Sequence, residues 1–409
     1  MSGARDSRLR VFLGAFGDPG HAFPMLALGA ELAARGHDVT YETWERWRAD
    51  VEAAGMRFEP APEYPVFPTR ERPLPRPLGP YEAVVRATRD TRPVLAAARP
   101  DVVVHDILTL APALAAELES VPTATLIPHV YPVSQPGGPP YSFGARPPRT
   151  TLGSTLWRAF DRPVRAGLRL GRQQLNGARR QLGLPPTSRL FGGLSERLVL
   201  VATLPQLEPP RRWPAHVHVV GPLIWEPPAP PVEPPAGDAP LVLVAPSTSQ
   251  DPDHRLLCAA LAALAGEPVR LLAATNRRPP PRPISLAPNT RVVDWLSYRA
   301  TMPQCALVIC HVGHGTLVRA LTSGCPVVAV PHVGDMAENA ARLVWAGAGV
   351  RLPWQLLTPL TLRLTVRRAL SRPRLARRAA ELGAWSAANP GPPRAADLVE
   401  LIARRVGDR

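Results

Sequence analysis

Residues Leu307 to Leu352, LVICHVGHGTLVRALTSGCPVVAVPHVGDMAENAARLVWAGAGVRL, constrain the fold more than any other stretch. Leu307–Cys310 is a short apolar run, as expected of a parallel strand buried on both faces. His311 to Gly315 turns the chain, and Thr316 opens a helix that stops at Gly324. Val327–Val330 reads as the next strand, ended by Pro331, and a polar loop and a second helix follow. A helix N-terminus leaves unpaired backbone N–H groups and a partial positive charge. Gly313 and Gly315 would let a diphosphate approach both. His311 and Thr316 can add side-chain donors to the same oxygens. Asp335, Glu338 and Asn339 fall just past the second strand, at the carboxyl edge where ligands of open α/β sheets bind.

This ordered unit resembles the nucleotide-sugar-binding motif of the family 1 glycosyltransferases, inverting enzymes of the two-domain GT-B fold. HVGHGT is similar to that family's His-Gly-Gly-x-Gly-Thr, and GDMAEN at Gly334–Asn339 to its Asp-Gln-x-x-Asn. The resemblance spans nearly the whole chain and is closest to the bacterial antibiotic and macrolide branch. It implies an α/β protein of two Rossmann-like domains facing each other across a cleft. It also implies a donor held without metal.

The rest of the chain fits two domains. Single cores stop growing beyond roughly 250–300 residues, and this chain has 409. No apolar run approaches the roughly 18 residues of a membrane span, and MSGARDSRLR leads into a strand without an apolar signal core. A cytoplasmic enzyme with no stable membrane insertion is expected. Four cysteines without CxxC spacing suit reduced, buried thiols. The net charge is +15, carried by 48 arginines and no lysine. They are spread over both halves without a nucleic-acid motif, and 53 prolines accompany them. Coding bias explains that composition better than a nucleic-acid surface.

In chain order, Arg10–Phe16 reads as a strand, Gly17–Pro24 as a loop and Met25–Ala34 as a helix. His37–Thr43 is a second strand, with His37 a surface residue at its start, and Trp44–Ala54 another helix. Residues 60–80 form a long loop. A helix at Tyr81–Ala98, a strand at Asp101–Val104, a helix at Leu110–Leu118 and a strand at Pro122–Ile127 follow. A helical stretch at Leu152–Leu182 leads to the strand Leu198–Leu204. The first domain therefore covers residues 1–205, and the resemblance implies that it binds the acceptor. Residues 206–240 are proline-dense and read as a semi-rigid linker. Strands at Leu241–Ala245, Val269–Ala273 and Arg291–Asp294 begin the donor domain, 241–390. The segment 391–409 matches the last helix of the family, which crosses back to the first domain.

Transfer to a hydroxyl needs a base near the acceptor oxygen, and histidine has a suitable ordinary pKa. A carboxylate on its other ring nitrogen would orient it. His21 lies in GHAFP after the first strand, and Asp106 ends a later parallel strand, so the two can meet at one sheet edge. The resemblance implies those roles, because Gly20–Pro24 matches the family's Gly-His-x-x-Pro and Pro100–Asp106 its Pro-Asp-x-x-x-x-Asp. Phe23 and His129 are candidates for the acceptor pocket, although His105 and His129 also read as ordinary strand-end residues. Ser247 and Thr248, after the strand Leu241–Ala245, are placed to donate to a phosphate or simply to cap a helix. Trp295 can stack on a base or pack in the core. His311, His314, His332 and Asp335 do not share a face as metal ligands would, so no metal is expected.

Three departures bear on the donor. Where the family has Pro-Gln after the tryptophan, this chain has Ser297-Tyr298. Eight residues after His311 the family's UDP-sugar enzymes usually carry Glu, which accepts from both ribose hydroxyls; Arg319 cannot accept. The family's Asp-Gln pair is Asp335-Met336. Arg319 and Met336 favour dTDP over UDP and a deoxygenated sugar. The expectation is inverting transfer of a hexose or deoxyhexose from a dTDP- or UDP-sugar to a hydroxyl of an apolar natural-product acceptor, by a monomer or homodimer. A non-catalytic glycosyltransferase-like auxiliary protein and a related nucleotide-sugar epimerase remain alternatives.

Overall fold

The short apolar runs pair in parallel into two sheets. The structure is a computed structural model that describes residues 8–62, 80–247, 251, 253–278, 280, 285–332 and 334–407. The first sheet is built from β1 (Arg10–Gly14), β2 (Asp38–Thr43), β3 (Arg57–Pro60), β4 (Val102–Asp106), β5 (Thr123–Ile127), β6 (Leu198–Val201) and β7 (Val217–Val219), in the order β3-β2-β1-β4-β5-β6-β7. The second contains β8 (Leu241–Ala245), β9 (Arg270–Ala274), β10 (Thr290–Val293), β11 (Leu307–Cys310), β12 (Val327–Ala329) and β13 (Gly349–Arg351), in the order β10-β9-β8-β11-β12-β13. Both orders reverse beside the first strand of their sheet, and that switch point opens a crevice at the carboxyl ends. Helices cover both faces of each sheet, so the central strands are fully buried, as their unbroken apolar runs require.

Several expectations need correction. The segment Gly17–Pro24 is not a loop: the helix begins at Pro19 and runs to Ala34. Proline is suited to a first helical turn, where its missing N–H has no intrahelical partner, and the Asp18 carbonyl accepts from the amides of His21 and Ala22. The 206–240 segment is not all linker, because β7 adds to the edge of the first sheet. The short edge strands β3 and β13 also lay unmarked, each too brief to show alternation. Most of the 60–80 loop lies outside the described residues. The helix after β11 starts at His314, not Thr316, and ends at Thr322. Cys305, Cys310 and Cys325 are buried free thiols, whereas Cys258 is exposed.

The last helix, Gly391–Gly407, does cross back. Ala395, Ala396, Val399 and Ile402 pack into the core of the first sheet. Fully burying each larger aliphatic side chain contributes roughly 1.5–3 kcal/mol. Arg35 donates to Asp397, Glu400 and the Pro393 carbonyl, and His37 reaches Glu400 at 3.2 Å. His37 is therefore a buried docking residue, not a surface one. Between the sheets, buried Arg342 joins Glu208 at 2.8 Å to Glu338 at 2.7 Å. Glu208 also accepts from the Tyr131 amide, tying both domains to the start of the connecting segment.

Candidate functional site

A cavity of about 270 Å³ lies between the carboxyl edges of the two sheets and is lined by both domains. On the first domain's wall, the 19–34 helix places His21 opposite the last residue of β4. His21 Nδ1 lies 2.8 Å from Asp106 Oδ1, although the residues are 85 positions apart. The other Asp106 oxygen accepts from the Leu108 amide and the Thr109 hydroxyl, so the carboxylate is fixed. Its side chain is 1% exposed, and that of His21 17%. Burial lowers the His21 pKa, but the charge and hydrogen bond of Asp106, with Asp18 and Asp335 behind them, outweigh it. The ring is held above the ordinary histidine value. With Nδ1 on Asp106, the other ring nitrogen is Nε2, on a side chain that lines the cavity.

His129 stands beside this pair, its ring centroid 6.5 Å from that of His21. Its Nδ1 lies 2.8 Å from the Val130 carbonyl, and burial lowers its pKa, with His21 adding to the shift. Phe23 lines the same wall, edge-on to Trp47 and Trp225 at 5.0 Å each. His105 faces away: its Nε2 meets the Thr125 hydroxyl at 2.8 Å, a buried structural contact.

The facing wall is the turn between β11 and the 314–322 helix. Gly313 is the N-cap, and the first intrahelical bond runs from the Leu317 amide to its carbonyl. The amides of His314, Gly315 and Thr316 precede that ladder, and all three residues line the cavity; a helix N-terminus of this kind favours an anion. Ser247 and Trp295 line the cavity as expected, with the Arg277 guanidinium 4.8 Å from the Trp295 ring. Thr248 lies outside the described residues. Asp335 and Met336 line the cavity too.

Two expected ligands are placed differently. His311 is 1% exposed, with Nδ1 3.1 Å from the Val330 carbonyl and Nε2 3.2 Å from Asp251. Both nitrogens have partners within the protein, and the ring braces the turn from the cavity wall. Asp251 also accepts from the amides of Arg255 and Leu256. Burial raises its pKa, yet His311 and those amides outweigh burial and hold it below the ordinary value. Asn339 is fully buried and donates to the Val312 carbonyl and to Asp335, each at 3.0 Å. It holds Asp335 and is not among the residues that line the cavity.

Sequence patterns did not point to Glu226, Asp251, His314 or Tyr298 as parts of this site. Glu226 sits in a proline-dense segment, and Asp251 follows a strand with no motif around it. Burial pushes the His314 pKa down to about 4, with His129 adding to the shift, so it faces the first domain as a neutral ring. Among the described residues no three His, Cys, Asp or Glu side chains are arranged to hold a metal. No described helix is long and apolar enough to cross a membrane.

Two parallel-sheet α/β domains thus meet at one cavity lined by a His–Asp pair and a helix N-terminus. Residues 255–401 match the family described as erythromycin biosynthesis protein CIII-like, C-terminal domain. The chain is 30% identical to 4'-demethylrebeccamycin synthase of Lentzea aerocolonigenes, over 96% of this chain and 99% of that one. It is 31% identical to O-mycaminosyltylonolide 6-deoxyallosyltransferase of Streptomyces fradiae, over 96% and 97%. The solved structure of CalG4, the calicheamicin glycosyltransferase, superposes with a TM-score of 0.73 at 25% identity, covering 98% of this chain and 99% of that one. The protein belongs to the family 1 glycosyltransferases of bacterial natural-product biosynthesis and has their GT-B fold. It is a glycosyltransferase that moves a sugar to a small-molecule acceptor.

Proposed function

We propose that the enzyme transfers a hexose or deoxyhexose, with inversion, from a dTDP-sugar in preference to a UDP-sugar, to a hydroxyl of an apolar small molecule. The observation that carries this is the 2.8 Å His21–Asp106 pair facing the 314–322 helix N-terminus across one cavity. The acceptor hydroxyl gives its proton to His21 Nε2, and its oxygen forms the new bond to the anomeric carbon. The bond from that carbon to the diphosphate breaks on the opposite face, and Asp106 stabilises the imidazolium. The leaving charge is met by the helix N-terminus and its amides, a preorganised electrostatic site that uses no metal. Asp335 is the group nearest the expected sugar. Buried Met336 supports a deoxygenated hexose, since a thioether donates no hydrogen bond and accepts only weakly. Phe23 and His129 border the acceptor side.

The test is turnover of dTDP- and UDP-hexoses by the purified enzyme, with and without a panel of aromatic and macrolactone alcohols and with the product anomer assigned by NMR. Inverted product, faster turnover with dTDP donors and insensitivity to EDTA are expected. Retained configuration, or unchanged turnover in His21→Ala, would overturn the mechanism.

A further inference from the structure

Position 319 lacks a hydrogen-bond acceptor, yet the cavity wall there holds a carboxylate. Glu226, from the segment joining the domains, lines the cavity beside Arg319. Its Oε2 lies 2.8 Å from Arg319 Nη1, and the same guanidinium donates to the Trp225 carbonyl. Glu226 Oε1 accepts from the Ser297 hydroxyl at 2.6 Å and the Arg299 amide at 3.2 Å. Both charged side chains are largely buried, at 17% and 11% exposure. A carboxylate offers about four lone-pair positions, and three donors use this one, the Arg299 amide being shared with Oε2 at 3.4 Å, so room is left for a further hydroxyl.

The place of this pair determines its ligand. Arg319 is one helical turn, about 5 Å, beyond Thr316 at the diphosphate turn. Ser297 is two residues beyond Trp295, an aromatic that lines the same cavity and is the candidate for stacking on the base. A group between a stacked base and a bound diphosphate is the pentose of the nucleotide. We infer that Glu226, set by Arg319 and Ser297, reads the 3′-hydroxyl of the donor's pentose and so is a specificity-determining residue. The inference rests on the donor site proposed above. A hydroxyl both donates and accepts, so the carboxylate and the guanidinium can engage its two sides together. The carboxylate reaches the site from the interdomain segment, not from the helix, and nucleotide binding thereby involves the connection between the domains.

Calorimetric titration of dTDP and of 3′-deoxythymidine diphosphate into wild type and Glu226→Gln tests this. Loss of a charge-assisted hydrogen bond corresponds to roughly tenfold in Kd. Wild type should bind dTDP about tenfold tighter than the 3′-deoxy analogue, and the variant should bind both with the weaker affinity. Equal weakening of both nucleotides, or unchanged dTDP affinity, overturns the assignment while leaving the donor site in place. An effect seen with an intact dTDP-sugar but absent with dTDP also overturns it, since the group read would then be on the hexose. If wild type binds neither nucleotide, the donor site itself fails. Should Glu226→Gln not fold, Glu226→Asp keeps the charge, shortens the reach and carries the same expectation.

Discussion

The two walls of the cleft solve the same problem, fixing a histidine at a sheet edge, in opposite ways. His21 is 17% exposed, has one nitrogen on Asp106 and keeps the other for chemistry. His311 is 1% exposed and has both nitrogens committed, to Val330 and Asp251. Under the proposed mechanism the first wall works through a titrating side chain and the second through backbone amides and a helix dipole, with its histidine bracing the turn. A mutation should separate them: the first wall should lose rate with little change in stability, and the second should lose stability and donor affinity together.

The largest effect is expected from His21→Ala. A positioned general base contributes 10²- to 10⁴-fold, so kcat should fall by about that range while the dTDP dissociation constant stays within about twofold. Steady-state kinetics and calorimetry on the same preparation check both. The pH profile sharpens the contrast. Because the His21 pKa is raised in the folded state, the active neutral ring is lost as pH falls through a value above the ordinary 6.5. Asp106→Asn removes the charge that raises it, and the acid limb should move to lower pH. Stability has the opposite sign: the protonated pair's contribution is complete below 6.5 and fades as pH rises through the folded pKa.

On the second wall, Asp251→Ala strands His311 Nε2 and two helix-start amides at once. Leaving buried donors unsatisfied costs about 1–3 kcal/mol. A lowered urea midpoint, together with weaker dTDP binding and a nearly unchanged kcat at saturating donor, is the expected pattern. A fall in kcat alone would mean that His311 is chemical after all.

The two walls were also unequally legible. The donor turn is contiguous, so strand, glycines and helix appeared together in a few residues, and β8 and β11 were placed at their observed bounds. His21 and Asp106 were singled out by the resemblance, through Gly20–Pro24 and Pro100–Asp106, and by strand topology, which brings the two to one sheet edge. What stayed hidden depends on contacts between segments distant in sequence. Asp251 meets His311 across 60 positions, and Glu226 meets Arg319 across 93. His37 looked exposed because its partner, Glu400, arrives on the final helix. Asn339 shows a different limit: a motif names a residue but not whether it touches ligand or holds one that does, and here its amide donates to Asp335.

Val312 offers the finest test of a wall that works through its backbone. Its φ is +56°, a left-handed conformation unusual for a β-branched residue, and its side chain is fully buried in the second domain's core. The conformation costs about 1–2 kcal/mol, and burial of the isopropyl group offsets it by a similar amount. Truncation to alanine removes the burial and keeps the strain. Truncation to glycine removes a further methyl but also the strain. At an ordinary position glycine is the more destabilising replacement, by roughly 0.5–1 kcal/mol. Here the order should invert, with Val312→Gly more stable than Val312→Ala by about 1 kcal/mol in urea unfolding. Thermodynamic parity between the two, or the ordinary order, would show that the turn is not held in this conformation. The donor amides it aims would then have to be organised by the diphosphate itself.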